Sequence, residues 1–212
     1  DQGASDEQAR KAVFDLGVDV IDFDRLLADR SGELRPLTRH RGLSLGEGAG
    51  IVLLESEGTL NVGTGATSPI GDRDLVVASF TTGGTPQWTE RFGAPGLSVG
   101  ASDLASNGAG DIVAVGGVMG SASIDFGGGA LTAGAGQDAF VVGLDASGGH
   151  RFSRRLAGAG DDFLLGVHVE DAGSAVLAGG FTGTVDYGGG SMTSAGSTDA
   201  FVMRLGATGS TL

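Results

Sequence analysis

Short apolar runs of alternating character, each closed by a glycine-containing turn, recur along most of this chain. The clearest runs from Asp138 to Ala146. Phe140, Val142 and Leu144 fall at one parity, and Val141 and Gly143 at the other, which is the period of a strand. Ser147-Gly148-Gly149 reads as a hairpin turn, where glycine tolerates positive φ. His150 to Leu156 predicts a second strand, with Phe152 set among Arg151, Arg154 and Arg155. A loop at Gly158 to Asp162 leads to a third strand over Leu164 to Glu170, with Leu165, Val167 and Val169 on one face and Gly166 and His168 on the other. Asp171-Ala-Gly173 turns the chain. Ala175 to Gly180 predicts a fourth strand extended by Phe181 to Tyr187, and Gly188-Gly-Gly190 closes the unit.

The unit repeats. Its first aspartate occurs at Asp74, Asp138 and Asp199, that is, after 64 residues and then after 61. Trp88 takes the place of Phe152 in the earlier copy. Asp111-Ile-Val-Ala-Val-Gly-Gly117 matches Ser174-Ala-Val-Leu-Ala-Gly-Gly180, and Ser123-Ile-Asp-Phe-Gly127 matches Thr184-Val-Asp-Tyr-Gly188. Leu60-Asn-Val-Gly63 is the same element earlier still. Recurrence at a near-fixed period predicts a stacked repeat architecture, because one unit cannot bury both of its faces. The expected fold is mainly β, with about four antiparallel strands per repeat. The expected units span about 58–120 and 121–183, with a partial copy at 184–212.

Residues 1–57 follow a different pattern. Ser5-Asp-Glu-Gln8 has the form of a capping box, and Ala9, Ala12, Val13 and Leu16 then fall at helical spacing. Gly17 supplies a stop, and a second short helix is expected around Phe23 to Ala28. Gly50-Ile-Val-Leu-Leu-Glu55 is an unbroken apolar run that predicts a buried strand. These residues therefore read as a short α/β segment ahead of the repeats.

Composition narrows the function classes. Glycine numbers 42 of 212 residues without a Gly-X-Y period, so the chain is not collagenous. Net charge is −13, which opposes phosphate backbones and anionic lipid; neither nucleic acid nor a membrane surface is an expected partner. The chain has no cysteine, which removes disulfides, thiolate zinc sites and a thiol nucleophile. No apolar run reaches membrane-spanning length, and no signal peptide is seen in this chain. The chain starts at Asp1 and stops at Leu212, where another strand is due, so a piece of a longer protein is expected.

Two resemblances extend this reading. Asp138-Ala-Phe-Val-Val-Gly-Leu-Asp-Ala-Ser-Gly148, Gly158-Ala-Gly-Asp-Asp162 and Gly180-Phe-Thr-Gly-Thr-Val-Asp-Tyr-Gly-Gly-Gly190 are similar to the bacterial seven-bladed β-propeller repeat family. The resemblance covers about residues 57–212. It implies propeller blades (here two plus a fragment), an extracellular or cell-surface setting, a protein or glycan partner, and no common catalytic site. Separately, Arg41-Gly-Leu-Ser-Leu-Gly-Glu-Gly-Ala-Gly-Ile-Val-Leu-Leu-Glu-Ser56, with Arg35-Pro36 and Gly17-Val-Asp19 upstream, resembles the Gly-Glu-Gly-Ala-Gly loop of β-ketoacyl synthases. In that family Arg-Pro continues as Phe-Asp; here it continues as Leu37-Thr38. That resemblance implies the remnant of an acyl-condensing enzyme. None of the family's catalytic residues has a counterpart here, its nucleophile being a cysteine.

Three groups are candidate sites. Gly134-Ala-Gly-Gln-Asp138-Ala-Phe140 fits the core of a calcium-binding nonapeptide, but calcium needs six to eight oxygens from turns recurring every nine residues. Asp138 is therefore expected to bond local backbone N–H groups. Asp161-Asp162 is a carboxylate pair in a glycine loop, expected to be solvated. Asp138, Asp161 and Asp162 are thus the weak metal candidates, with a calcium-stabilised surface adhesin as the corresponding alternative. His150 and His168 lack a third metal ligand, and Arg151, Arg154 and Arg155 are expected on a solvated strand face. No catalytic residue and no cofactor is expected, and the chain reads as a non-enzymatic scaffold or interaction module.

Overall fold

The computed structural model describes residues 40–46, 49–56, 58–81, 85–132 and 136–212, with side chains from residue 58 onward. The helices expected before residue 30 lie outside the described residues, as do Gly17-Val-Asp19 and Arg35-Pro36. Within the described residues the protein is mainly β, and its strands pair antiparallel.

The described residues begin with a hairpin, β1 (His40–Gly46) and β2 (Ala49–Ser56), followed by a small ribbon, β3 (Leu60–Asn61) and β4 (Ala66–Thr67). A second hairpin, β5 (Asp74–Thr81) and β6 (Pro86–Phe92), follows. The same order then recurs as β7 (Ser98–Ser106), β8 (Ile112–Met119), the ribbon β9 (Ser123–Asp125) and β10 (Ala130–Thr132), β11 (Gln137–Leu144) and β12 (His150–Leu156). It recurs again as β13 (Asp162–Val169), β14 (Ala175–Phe181), the ribbon β15 (Thr184–Asp186) and β16 (Ser191–Thr193), and β17 (Asp199–Leu205). The larger sheets run β1-β2-β5-β6, β7-β8-β11-β12 and β13-β14-β17, the last extended by a bridge from Leu205 to Thr211. Each is a meander whose ribbon leaves between the second and third strands.

The sheets are phased differently from the sequence copies. The Asp138 run is the third strand of its sheet, paired on one side with β8 and on the other with β12. The runs read as third and fourth strands of that unit instead open the next sheet as β13 and β14. A repeat seen in sequence has no inherent starting point; long-range pairing decides where a sheet begins. Phe181 to Tyr187 is likewise no extension of a strand, since the chain turns at Gly183 (φ 72°) and forms the β15–β16 ribbon. The first sheet crosses the change of composition at residues 57 and 58. β2 pairs with β5 from Ala49–Thr81 to Ser56–Asp74, so the Gly50–Glu55 run lies in the same sheet as the Asp74 strand.

Alternation explains the core. Ile112, Ala114 and Val118 of β8, with Phe140, Val142 and Leu144 of β11, pack in one cluster with Leu75, Val77 and Phe92 of the first sheet. Val113, Val115, Ala139 and Val141 point the opposite way and pack with Leu164, Leu177, Phe201 and Leu205 of the third. The middle sheet is therefore buried on both faces, and each fully buried Val, Leu or Phe stabilises the stack by about 1.5–3 kcal/mol relative to exposure.

The third sheet corrects one face. Leu165 is 67% exposed, and Leu164 is buried in its place. A bulge between Leu164 and Gly166 inserts one residue and moves the strand into the opposite phase. The middle sheet carries the same bulge between Ala101 and Asp103. Glycine sits opposite in both, because a Cβ at Gly116 or Gly179 would run into the carbonyl oxygen of Gly100 or Phe163.

Candidate functional site

The polar residues singled out by sequence sit at sheet ends and between sheets. Asp74 starts β5 and is wholly buried. Its two oxygens accept the N–H groups of Ile70 and Gly71 at 2.8 Å each, and the Arg91 Nε–H across the strand at 2.6 Å. Arg91 is 4% exposed, and its Nη1 donates to the carbonyls of Gly58 and Thr67. The pair thereby ties β5 and β6 to the chain on both sides of the first ribbon.

Asp138 repeats the arrangement at the start of β11. It is 1% exposed and accepts the Arg155 Nε–H at 2.9 Å. A partner of this carboxylate is thus a cross-strand guanidinium; residues 133–135 of the preceding turn lie outside the described residues. Asp199 starts β17 and accepts the Ala195 N–H at 2.7 Å, the local turn contact expected of these aspartates. The signal for the guanidinium lay in the sequence: both Asp–Arg pairs are separated by 17 residues.

Asp161 and Asp162 do not act as a pair. Asp161 is exposed and accepts the Gln137 N–H at 3.0 Å, linking the middle and third sheets. Asp162 is wholly buried, accepting the Gly158 N–H and the Tyr187 hydroxyl at 2.6 Å each, so it is not the solvated loop residue expected. Adjacent residues entering a strand point to opposite faces, which separates the two carboxylates. Burial pushes the Asp162 carboxyl above its usual range, and nearby Asp138 adds to this; the bonds from Tyr187 and Gly158 and the charge of Arg155 pull the other way. Burial and the Asp162 carboxylate push the Tyr187 phenol upward as well. Sequence reasoning passed over Tyr187, although it is the single tyrosine and replaces Phe126 of the preceding ribbon. Its ring packs on Phe201 at 4.8 Å between centroids, as Phe126 packs on Phe140 at 4.9 Å.

The three arginines of β12 are not a solvated face. Arg151 pairs with Asp111 at 2.6 Å and donates to the Ala207 carbonyl. Arg154 donates to Thr211 Oγ1 and to the carbonyls of Gly209 and Tyr187. Arg155 holds Asp138. Outer-strand arginines reach the next sheet because their aliphatic stems run along it while the guanidinium meets backbone carbonyls at the turns. Other links follow the same logic: Asp103 accepts the Val167 N–H at 2.9 Å, and Asn107 Nδ2 donates to the carbonyls of Glu170 and Asp171.

Aromatic residues complete each joint. Trp88 donates its indole N–H to the Ala146 carbonyl at 2.9 Å and covers Gly148 of the next sheet's hairpin. Phe152, its counterpart, covers Gly209 of the hairpin after that. Both glycines have positive φ, 86° and 80°, and leave room for the ring that a side chain would fill.

His150 Nε2 lies 3.1 Å from Ser153 Oγ, and His168 is exposed on β13. Among the described residues no three His, Cys, Asp or Glu side chains converge as a metal site requires. A small pocket lined by Val118, Ile124, Phe126, Leu131, Asp138 and Arg155 has a volume of about 10 Å³, room for one water molecule at most. Among the described residues no helix is long and apolar enough to cross a membrane. No protein-family model matches this chain, and no curated protein matches it.

Proposed function

We propose that this chain is a non-catalytic repeat scaffold, a run of propeller-type blades that presents a protein or glycan partner with a rigid surface at an extracellular or cell-surface location. The observation that carries this reading is where the ionisable side chains point. Asp74, Asp138, Asp162, Arg91, Arg151, Arg154 and Arg155 all bond to strands, turns or the neighbouring sheet. A group fixed in this way positions backbone and is poorly placed to exchange a proton or bind a substrate. The meander order β7-β8-β11-β12, preceded by β1-β2-β5-β6 and followed by β13-β14-β17 in the same sense, supports the blade reading, because a propeller blade is a four-stranded meander.

The test pairs two assays on the purified chain. Screening against immobilised glycans and extracellular proteins is expected to yield saturable binding without turnover. Decarboxylation or condensation of a malonyl thioester would overturn the reading in favour of the condensing-enzyme remnant. Calcium added during thermal melting is expected to leave the transition unmoved; a large calcium-dependent rise would favour the adhesin.

A further inference from the structure

The chain contains two asparagines, and their neighbours differ. Asn61 is exposed and is followed by Val62, whose branched side chain crowds the peptide nitrogen. Asn107 is 6% exposed and is followed by Gly108. Glycine leaves its own nitrogen open and its backbone free to turn, so asparagine before glycine is the arrangement in which the side-chain amide is most readily lost. In that reaction the Gly108 nitrogen attacks Asn107 Cγ and gives up its proton. A C–N bond forms, the bond from Cγ to Nδ2 breaks, and ammonia leaves. Water then opens the cyclic imide at either carbonyl, giving aspartate or isoaspartate.

The folded protein holds Asn107 away from this chemistry. Its Oδ1 accepts the N–H groups of Ala109 at 3.1 Å and Asp111 at 2.9 Å. Its Nδ2 donates to Asp111 Oδ2 and to the carbonyls of Glu170 and Asp171, in the turn between β13 and β14, at 3.4 Å each. While these bonds stand, Cγ is not free to swing onto the Gly108 nitrogen. Two of the restraints belong to the third sheet, so opening of the joint between the middle and third sheets removes them and admits water.

The amide serves the joint rather than its own turn. In the equivalent hairpin between β11 and β12, Asp145 Oδ1 accepts the N–H groups of Ser147 and Gly149, so a carboxylate satisfies this kind of turn. A carboxylate at position 107 has no N–H to give to Glu170 and Asp171. It sets a negative charge against two carbonyls and the carboxylate of Asp111, and Arg151, already paired with Asp111 at 2.6 Å, is then shared between two anions. Isoaspartate also lengthens the backbone by a methylene, which disrupts the Asn107 N–H bond to the Asp111 carbonyl that closes the turn.

We propose that Asn107-Gly108 is a spontaneous deamidation site held off by the joint between the middle and third sheets, and that conversion in the opened state keeps those sheets from reseating. Loss of ammonia makes the change one-way, so the fraction converted records how long the joint has stood open.

Incubation of the purified chain at mildly alkaline pH, folded and in denaturing urea, followed by peptide mapping by mass spectrometry, tests the first half. Asn107 is expected to convert at least about tenfold faster unfolded than folded, since only opened molecules react in the folded sample. Asn61 is expected to convert more slowly than Asn107 in urea. A Cβ at Gly108 meets no atom within 4 Å, and its φ lies outside the left-handed region. Gly108→Ala is therefore expected to keep the wild-type melting temperature while slowing conversion in urea. For the second half, amide hydrogen exchange is compared between wild type and Asn107→Asp. The Glu170 and Gly173 amides, bonded within the β13–β14 turn, are expected to exchange faster in the variant, and the amides of β5 to be unchanged. Equal conversion folded and unfolded, or conversion in urea no faster at Asn107 than at Asn61 or insensitive to Gly108→Ala, overturns the proposal. So do turn amides that are unchanged by Asn107→Asp or that lose no more protection than β5.

Discussion

Asp74 and Arg91 form the most buried ion pair described in this chain, 0% and 4% exposed, and the contrast with Asp138 and Arg155 is instructive. Arg155 is 32% exposed, so solvent relieves the loss of a partner there. Removing one member of a buried pair leaves an uncompensated charge, at a cost of about 3–5 kcal/mol. Asp74→Asn, which leaves Arg91 buried and unpaired, is therefore expected to destabilise the protein by that order in equilibrium urea unfolding, and Asp138→Asn, which leaves the partly exposed Arg155, by clearly less; equal losses would contradict the burial argument. Asp162 makes a prediction of opposite sign to that of an ion-paired carboxylate. Its folded-state pKa is raised above 3.8, so the folded protein holds this proton more tightly than the unfolded chain. Its contribution is fully present below pH 3.8 and is lost as pH rises through the folded value. Melting temperature measured against pH for wild type and Asp162→Asn should show wild type losing ground relative to the variant across that window; a constant difference would show that the pKa is not shifted. None of these residues was legible one at a time. The aspartates stood out in sequence beside glycines, and Asp74 and Asp162 do accept nearby turn N–H groups, but their side-chain partners lie 17 or 25 residues away. Only the doubled spacing of Asp74–Arg91 and Asp138–Arg155 carried that information.

Strands and their turns were the most readable level. The alternation of Phe140, Val142 and Leu144 against Val141 matches the two clusters in which they pack, and Ser147-Gly148-Gly149 forms the expected hairpin. The bulge at Leu164–Gly166 was not readable, because one inserted residue leaves composition unchanged while reversing every following side chain. Sheet phase escaped for a related reason: β11 has equal claim to open or to continue a sheet until its pairing with β8 is known. The joint between Phe152 and Gly209 can be measured by comparing two glycines. Gly209 and Gly183 both have positive φ, 80° and 72°, and either alanine substitution meets the left-handed penalty of about 1–2 kcal/mol. A Cβ at Gly183 meets no atom within 4 Å, whereas at Gly209 it would lie 2.6 Å from the Phe152 ring. Gly209→Ala is expected to lower the melting temperature further than Gly183→Ala, and equal shifts would show that the ring does not bear on the hairpin.

At the scale of the molecule, the 61–64-residue recurrence predicted stacked sheets of antiparallel strands, and three sheets of that kind pack through two apolar clusters. The extent of the first sheet was hidden by composition: β2 looks unlike β8 and β14 in sequence, yet pairs with β5 as they pair with β11 and β17. Tertiary pairing overrode the change of residue types at 57 and 58. The central claim is that stability resides in the middle sheet, covered on both faces, and falls toward the open face of the third. Native-state amide hydrogen exchange on the purified chain tests this strand by strand. The account predicts that β8 and β11 exchange last, through global unfolding, and that β17 exchanges through a smaller opening. Protection in β17 equal to that of β8 and β11, or early exchange of β11, would contradict it.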